Sequence, residues 1–536
     1  MNSLWNDDEA RHYEGDLGLR VYTSRLLGRD TTLVLHGGGN TSVKITEKNI
    51  LGENEELLYV KGSGWDLESI EASGFSPVRL NHMLALAQLT HLSDPQMVNE
   101  MVTHMTRASA PTPSVETILH AILPYKYVDH THADAIVTLT NTAAGLNRVK
   151  KIYGQAVVVI PYIMPGFDLA RLCAQEFAAQ AHKDTLGMIL MNHGIFSFGK
   201  TAQESYQRMI DLVTRAEQYL ERKNAWRLPA PTSLTSDAPQ RHGISKLRYD
   251  ISRIAGTPMI MSVDTDPRSV DFARRADVAV LSQQGPATPD HVIRTKRLPM
   301  LGRDVDAYAA AYKDYFDVHA PMAKEPKTML DAAPRVVLDT KLGLCAVGRT
   351  AKDAAIAKDI YQHTMGIILR ATALGGWQAL PAKDIFDMEY WDLEQAKLRK
   401  GSKPPLFTGE IALVTGAASG IGKACVDALL ARGAAVIGLD INPAITTLYK
   451  RQDFLGQTCD VTDETQLCAA LESGARAFGG LDMLILNAGI FPASRRIEAL
   501  SSTEWRKVMN INLDANLALL REAHPLLKCA PKGGRV

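Results

Sequence analysis

PSVETILHAILPYKYVDHTHADAIVTLT, from Pro113 to Thr140, places a carboxylate, Glu116, ahead of a His-x-His pair, His130 and His132. On an extended strand side chains repeat every two residues, so both imidazoles point to one face, roughly 7 Å apart along the backbone. That is within reach of one shared metal ion. Further on, MNHGIFSFG puts a third imidazole, His193, in an Asn-His-Gly turn after an apolar strand expected from Leu186 to Met191. Three histidines with a fourth position open describe a catalytic zinc site rather than a structural one. Glu116, a carboxylate that is not a ligand, is the acid/base group such a site needs. A lone His-x-His on a strand is more often a packed or surface feature than a ligand pair, so the assignment requires a substrate-binding element beside it. His120, one helical turn after Glu116, reads as packing, as do His91, His104 and His182.

That element lies upstream. LVLHGGGNTSVK, Leu33 to Lys44, runs an expected apolar strand into three glycines and Asn-Thr-Ser. Glycines let backbone N–H groups approach an anion, and Asn and Ser add side-chain donors. A second loop, Lys61-Gly-Ser-Gly64, follows a strand expected over Glu56 to Val60. With Ser114 close to Glu116, the two loops form a candidate phosphate cradle.

At GGNTS, KGSG, PSVE, HTH and NHG the chain resembles the class II, zinc-dependent sugar-phosphate aldolases, those of fuculose 1-phosphate and rhamnulose 1-phosphate. The resemblance covers roughly residues 30 to 200 and keeps the motif order. It implies zinc on His130, His132 and His193, proton transfer by Glu116, and a phosphate held by Gly38, Gly39, Asn40, Ser63, Gly64 and Ser114. One departure is Ser114-Val115, where the family often has Ser-Ser. One phosphate hydrogen bond would then be lost or supplied elsewhere.

At 536 residues the chain exceeds one core and implies two to four domains. It is 46% hydrophobic and 22% charged, with Lys+Arg and Asp+Glu balanced at 59 each, so no strong field favours nucleic acid or an anionic membrane. Six scattered cysteines without CxxC spacing read as reduced thiols. The polar, acidic N-terminus carries no signal pattern, and no apolar run reaches the ~20 residues of a membrane span. The expectation is a soluble, cytoplasmic protein.

The expected organisation is an α/β fold in three parts: residues 1–227 around the histidines, an α/β domain of unassigned role over 238–400, and a Rossmann unit over 406–536. Within the first, helices are expected over Pro77–Leu92, Pro95–Arg107, Asp168–His182 and Thr201–Arg222, with strands at Asp134–Leu139 and Ala156–Ile160. Tyr219-x-x-x-Lys223 at the end of the last helix reads as chance. LPAPTSLTSD (228–237) and GSKPP (401–405) read as linkers. In the middle part strands are expected at Pro258–Val263, Val278–Leu281 and Arg335–Leu338, helices at Pro267–Arg275, Asp304–Phe316, Ala351–Thr372 and Asp384–Lys400, and HVIRTKR as a solvated basic turn.

From Gly409 the pattern changes. IALVTGAASGIGKACVDALLARGAAVIGLD gives strand, Gly-rich turn, helix, strand and acid, the doubly wound parallel-sheet signature. Gly416, Ser419, Gly420, Ile421 and Gly422 open a helix whose N-terminus faces a pyrophosphate. Asp440 would accept from an adenosine ribose hydroxyl and repel a 2′-phosphate, so NAD is expected over NADP. With CDVTD, NAG and NINL, this half resembles the short-chain dehydrogenase/reductase family. The resemblance implies that Asp460 and Val461 border adenine, that Asn487 and Gly489 stabilise the central strand, and that Asn512 is the catalytic asparagine. No tyrosine follows Tyr449 to supply the family's Tyr-x-x-x-Lys, and the sequence stops at Val536, where a fifth strand should begin. The expectation is an incomplete dehydrogenase with an exposed sheet edge. It would bind NAD weakly and transfer no hydride, as a truncated product or, alternatively, as a dimerisation unit.

The combination resembles the bifunctional rhamnulose-1-phosphate aldolase/lactaldehyde dehydrogenase fusions, in which aldol cleavage yields dihydroxyacetone phosphate and an aldehyde for the second half. The resemblance also implies a homo-oligomer. Two alternatives stand beside it: a sugar-phosphate epimerase or dehydratase on the same zinc fold, and a non-catalytic adducin-like binding module.

Overall fold

The computed structural model describes residues 1–232, 238–399, 403–494 and 496–536. Contacts divide the chain into two compact units. One joins Met1–Pro229, Gln284–Ile293 and His363–Arg399; the other joins Ala230–Gln283, Arg294–Gln362 and Lys400–Val536. The stretch 238–400 therefore divides its residues between both units. The expected linkers fall partly on 233–237 and 401–402, outside the described residues.

The first unit is built on a seven-stranded sheet: β1 (Asn40–Lys48), β2 (Asn54–Lys61), β3 (Phe75–Arg79), β4 (Tyr127–Thr131), β5 (Val157–Ile160), β6 (Gly187–Leu190) and β7 (Gly194–Gly199), in the order β3-β2-β1-β4-β7-β6-β5. Its pairs are antiparallel except β5–β6. Because β1 and β7 both run against β4, the start of β1, the end of β4 and the β6–β7 turn meet at one end of the sheet. Asn40 lies opposite His130, and His130 opposite Phe196.

Alternation along the strands sends Ile189 and Ile195 into a core with Leu26, Leu27 and Val213, and Met188 and Phe196 into another with Ile118, Leu119 and Leu169. The helices Gly15–Gly28 and Ala202–Arg222 thus bury one face, and Thr117–Ile122 and Phe167–Gln180 the other. Beneath β4, Arg20 and Asp129 form a fully buried ion pair at 2.5 Å, and Ser205 donates a further bond to Asp129. Two buried charges are tolerated there because each is met by the other and by hydrogen bonds.

The second unit holds two sheets. One orders β8 (Ile260–Asp264), β9 (Met300–Leu301), β10 (Val336–Asp339) and β11 (Gly343–Gly348) as β8-β11-β10-β9. The other, of β12 (Ile411–Thr415), β13 (Ala435–Asp440), β14 (Phe454–Thr458) and β15 (Met483–Ile485), is wholly parallel in the order β14-β13-β12-β15. This is half of a doubly wound sheet. Arg535 adds a parallel bridge to Met483 beyond β15. Arg248 and Asp482, both buried, make a two-bond ion pair at 2.7 and 3.0 Å, and Arg248 also donates to the carbonyls of Met259 and Gly409.

Several expected elements differ. Asp134–Thr140 is a helix, not a strand. Its β-branched residues favour a strand, but every side chain in it is buried, so no periodicity distinguishes the two. Val278–Ser282 is likewise helical. Leu33 to Leu35 lie outside any strand, which starts only at Asn40. Pro77 belongs to β3, which leaves a shorter helix at Leu80–Leu86. The basic turn is not solvated: Lys296 is buried, donates to the Asp331 carbonyl at 2.7 Å and lies 4.0 Å from the Tyr312 ring centroid. Among the described residues, no helix is long and apolar enough to cross a membrane.

Candidate active site

The sheet end where β1, β4 and β7 meet carries the three histidines. His130 closes β4, His132 follows it, and His193 sits in the β6–β7 turn behind Asn192, whose φ of 59° is a left-handed value that Asn tolerates. One nitrogen from each ring lies within 4.8 Å of the others. The Nε2 atoms of His130 and His132 are 3.1 Å apart, near the ~3.4 Å separation that two imidazole nitrogens share around a tetrahedral ion.

His130 Nδ1 lies 3.1 Å from the Ile195 carbonyl and donates to it, leaving Nε2 as the bare ligand nitrogen. Burial, then the neighbouring His193, hold the His130 imidazole well below its usual pKa and keep it neutral. Three imidazole nitrogens converging on one point, His130 presenting a bare Nε2, are what a divalent ion requires, so the donor set fits the group. Gly194 admits this crowding: a Cβ there would meet the Thr131 carbonyl at 2.3 Å and the His130 ring at 3.0 Å.

Glu116 reaches the same point. Its Oε1 is 3.7 Å from His130 Nε2 and 3.9 Å from His193 Nε2, while Asn40 donates from its amide to Oε2. The carboxylate is buried, just ahead of helix Thr117–Ile122, and its N–H donates to Ser114 Oγ at 3.2 Å. Asn40 and Ser114, expected on the phosphate, are thus seen placing Glu116. His120 is buried, its Nδ1 2.8 Å from Ser42 Oγ, and burial holds its imidazole well below the usual pKa.

The two glycine loops are joined. Gly37 N–H donates to Asp66 at 2.6 Å and Gly38 N–H to the Leu35 carbonyl at 2.8 Å, so those amides serve the turn itself. Ser63 N–H likewise donates to the Thr112 carbonyl at 2.8 Å. Gly39, with φ of 66°, lies so close to β4 that a Cβ would stand 2.8 Å from the His130 carbonyl, and Gly64 takes φ of 96°. The buried Lys61 ammonium donates to the carbonyls of Gly37 and Gly39, each at 3.1 Å. Sequence reading passed over Lys61 as part of its motif. The signal was present, a lysine closing an apolar strand beside glycines. Asp290, 3.5 Å from His132 Nδ1, was also missed, because 158 residues separate it from that histidine and no motif surrounds it.

In the second unit Gly416 has φ of 64° and Gly420 φ of 54°. A Cβ on Gly422 would stand 2.0 Å from the Gly416 carbonyl, so the helix Gly420–Ala431 can start against the turn only as glycine. Ser419 precedes that helix and leaves its first amides without a side-chain cap, open to a pyrophosphate. Ile421 is exposed beside it. Asn487 ties β15 to β12 through the Thr415 and Gly416 carbonyls at 3.0 and 3.2 Å. Asp440 ends β13 and accepts from Ala418 N–H at 2.8 Å. Asp460 accepts from Thr462 at 2.9 Å, and Val461 follows it, half-buried against the core. Asn512 lies in a π-turn (Asn510–Asp514) and exchanges hydrogen bonds with the Ile490 backbone at 2.8 and 2.9 Å, beside Gly489. The residues expected at the nucleotide thus gather past the C-terminal ends of β12, β13, β14 and β15.

Three family models match the chain. The class II aldolase and adducin N-terminal domain matches residues 19–220, the aldolase class II second domain 238–398, and the short chain dehydrogenase 410–536. An uncharacterized oxidoreductase of Bacillus subtilis (strain 168), YuxG, is 31% identical over 564 residues, covering 100% of this chain and 81% of its own. The cis-4-hydroxycyclohexanecarboxylate dehydrogenase of Sinomonas cyclohexanicum is 38% identical over 112 residues, 20% of this chain and 45% of that protein. The chain spans about half the length of the short-chain dehydrogenases it matches. Among solved structures, the N-terminal class II aldolase domain of a conserved protein from Thermoplasma acidophilum is 43% identical, covering 41% of this chain and 99% of that one, with a TM-score of 0.38.

Proposed function

Because this chain belongs to the family that joins class II aldolase domains to a short-chain dehydrogenase domain in one polypeptide, we propose that its first unit is a zinc-dependent aldolase cleaving a ketose 1-phosphate to dihydroxyacetone phosphate and an aldehyde. L-rhamnulose 1-phosphate, giving lactaldehyde, is the substrate we put first. The observation that carries the reading is the convergence of His130, His132 and His193 within 4.8 Å, with Glu116 at 3.7 to 3.9 Å and the Lys61-braced glycine turn alongside.

His130, His132 and His193 would hold the ion, which when bound supplies Lewis acidity to oxygens of the substrate. The chain's own part is positional. Asn40 orients Glu116 through Oε2, leaving Oε1 facing the histidines to give or take a proton at the carbon left by cleavage. Lys61 places a buried positive charge under the glycine turn, where the substrate's phosphate dianion would sit. The dehydrogenase half, by the Asp440 carboxylate at the tip of β13, is proposed to bind NAD in preference to NADP. Self-association is proposed on the family resemblance alone.

Triose-phosphate release from a panel of ketose 1-phosphates, with metal content read on the same sample, tests this. Release lost with chelator and in His132→Ala supports the aldolase. Turnover without triose phosphate moves the site to epimerase or dehydratase, and no metal with no turnover leaves only a binding role.

A further inference from the structure

The segment Gln284–Ile293 lies within the second aldolase-type domain by sequence but packs with the first unit. Two independent features bring it to the histidines. Asn192, in the turn that presents His193, donates to the Asn141 side chain, and Asn141 in turn donates to the Ala287 carbonyl at 2.6 Å. Three residues on, Asp290 Oδ2 stands 3.5 Å from His132 Nδ1. The other nitrogen of that ring, Nε2, is the one facing His130. Asp290 therefore lies behind the ligand, on the side away from the shared point. His291 beside it is buried, and its imidazole is held below the usual pKa by that burial.

We propose that the second domain contributes a positioning residue to the metal centre: Asp290 accepts from His132 Nδ1–H, fixing the ring with Nε2 bare toward the ion. This rests on the reading of His130, His132 and His193 as metal ligands. The physical case is that a ligating imidazole gains basicity and orientation from a carboxylate on its far nitrogen. His130 has a main-chain carbonyl in that place; at His132 the carboxylate of Asp290 stands there. The Asn192–Asn141–Ala287 chain sets the distance between the segment and the His193 turn, so the second domain holds part of the centre rather than flanking it.

The test compares wild type with Asp290→Asn and Asp290→Glu in the full chain, measuring zinc affinity by chelator competition and the visible absorption of the cobalt(II)-loaded protein. Asp290→Asn should weaken zinc about 10- to 100-fold and shift the cobalt bands while keeping one equivalent at saturation, and Asp290→Glu should recover part of both. Unchanged affinity and bands in Asp290→Asn overturn the proposal. So does a second metal equivalent that the variant loses, because His132, Asp290 and His291 also come within 4.8 Å and Asp290 would then be a ligand. If His132→Ala leaves the metal content of the wild type untouched, the metal centre itself is misplaced, an outcome distinct from either.

Discussion

The histidine end of the seven-stranded sheet and the nucleotide end of the parallel sheet are both built at strand termini, yet they are assembled in opposite ways. The nucleotide end comes mostly from one continuous β-α-β stretch, Ile411 to Asp440, with Asn487 closing it from the next strand. Its demands are steric and local: a Cβ on Gly422 meets the carbonyl of Gly416, in the turn just before it, at 2.0 Å. The histidine end takes Asn40, Lys61, Glu116, His130, His132, His193 and Asp290 from separate segments, held by contacts between residues far apart in sequence, such as Asn40 with Glu116 and His132 with Asp290. A contiguous site tolerates change elsewhere in the fold. A dispersed one is only as good as the registers that deliver its parts.

The sharpest way to break that comparison is at the chemistry. Glu116→Gln should lower triose-phosphate release by roughly 10²- to 10⁴-fold without altering nucleotide binding, measured by steady-state assay and NADH fluorescence on one preparation. A matching loss of nucleotide binding would mean the two ends are not independent.

Next come the two buried ion pairs, one per unit. Arg20→Ala should destabilise the first unit by about 3–5 kcal/mol and Arg248→Ala the second by a similar amount, because each leaves a carboxylate buried without its cation. Hydrogen exchange in peptides spanning 127–131 and 411–415 reads the units separately. Arg20→Ala should speed exchange in the first and spare the second.

A smaller effect is set by pH. Lys44 is half-buried, donates to the Ala121 and Leu123 carbonyls, and has its pKa lowered by desolvation from 10.5 to about 8. Between those values the unfolded chain holds a proton that the folded chain has released, so stability rises with pH across that window and is flat, from this group, below about 8. The gain is at most about 3 kcal/mol and should vanish in Lys44→Met, as read by urea unfolding at pH 8 and pH 10. The mildest test is Gly422→Ala, expected to cost about 1–3 kcal/mol in local packing and to weaken NADH binding while aldolase turnover stays unchanged.

Legibility follows the same division. The glycine turn and the acid at Asp440 could be read from order and spacing, since neighbours in sequence are neighbours in space there, whereas Asn487 and Asn512 were singled out only by the family resemblance. His130, His132, His193 and Glu116 could be read as residue types suited to a metal, and β4 and β7 do bring them together. The strand expected at Asp134–Leu139 failed because a fully buried helix and a buried strand look alike as a run of apolar and β-branched residues. The phosphate roles expected for Asn40 and Ser114 did not anticipate that both would hydrogen-bond Glu116, which depends on the β1–β4 register placing Asn40 opposite His130.

The sequence by itself determined the chemistry available to this protein: three imidazoles, a carboxylate and glycine loops in one half, a dinucleotide turn in the other. It did so because those functions need particular side chains, or none, at fixed local spacings. Only the tertiary structure decided that Lys61 braces the glycine turn, that Asn40 steers Glu116, and that Asp290 arrives behind His132 from another domain's sequence. These are contacts across sheet registers and between distant segments, selected by burial and packing of the whole unit, and no local pattern encodes them.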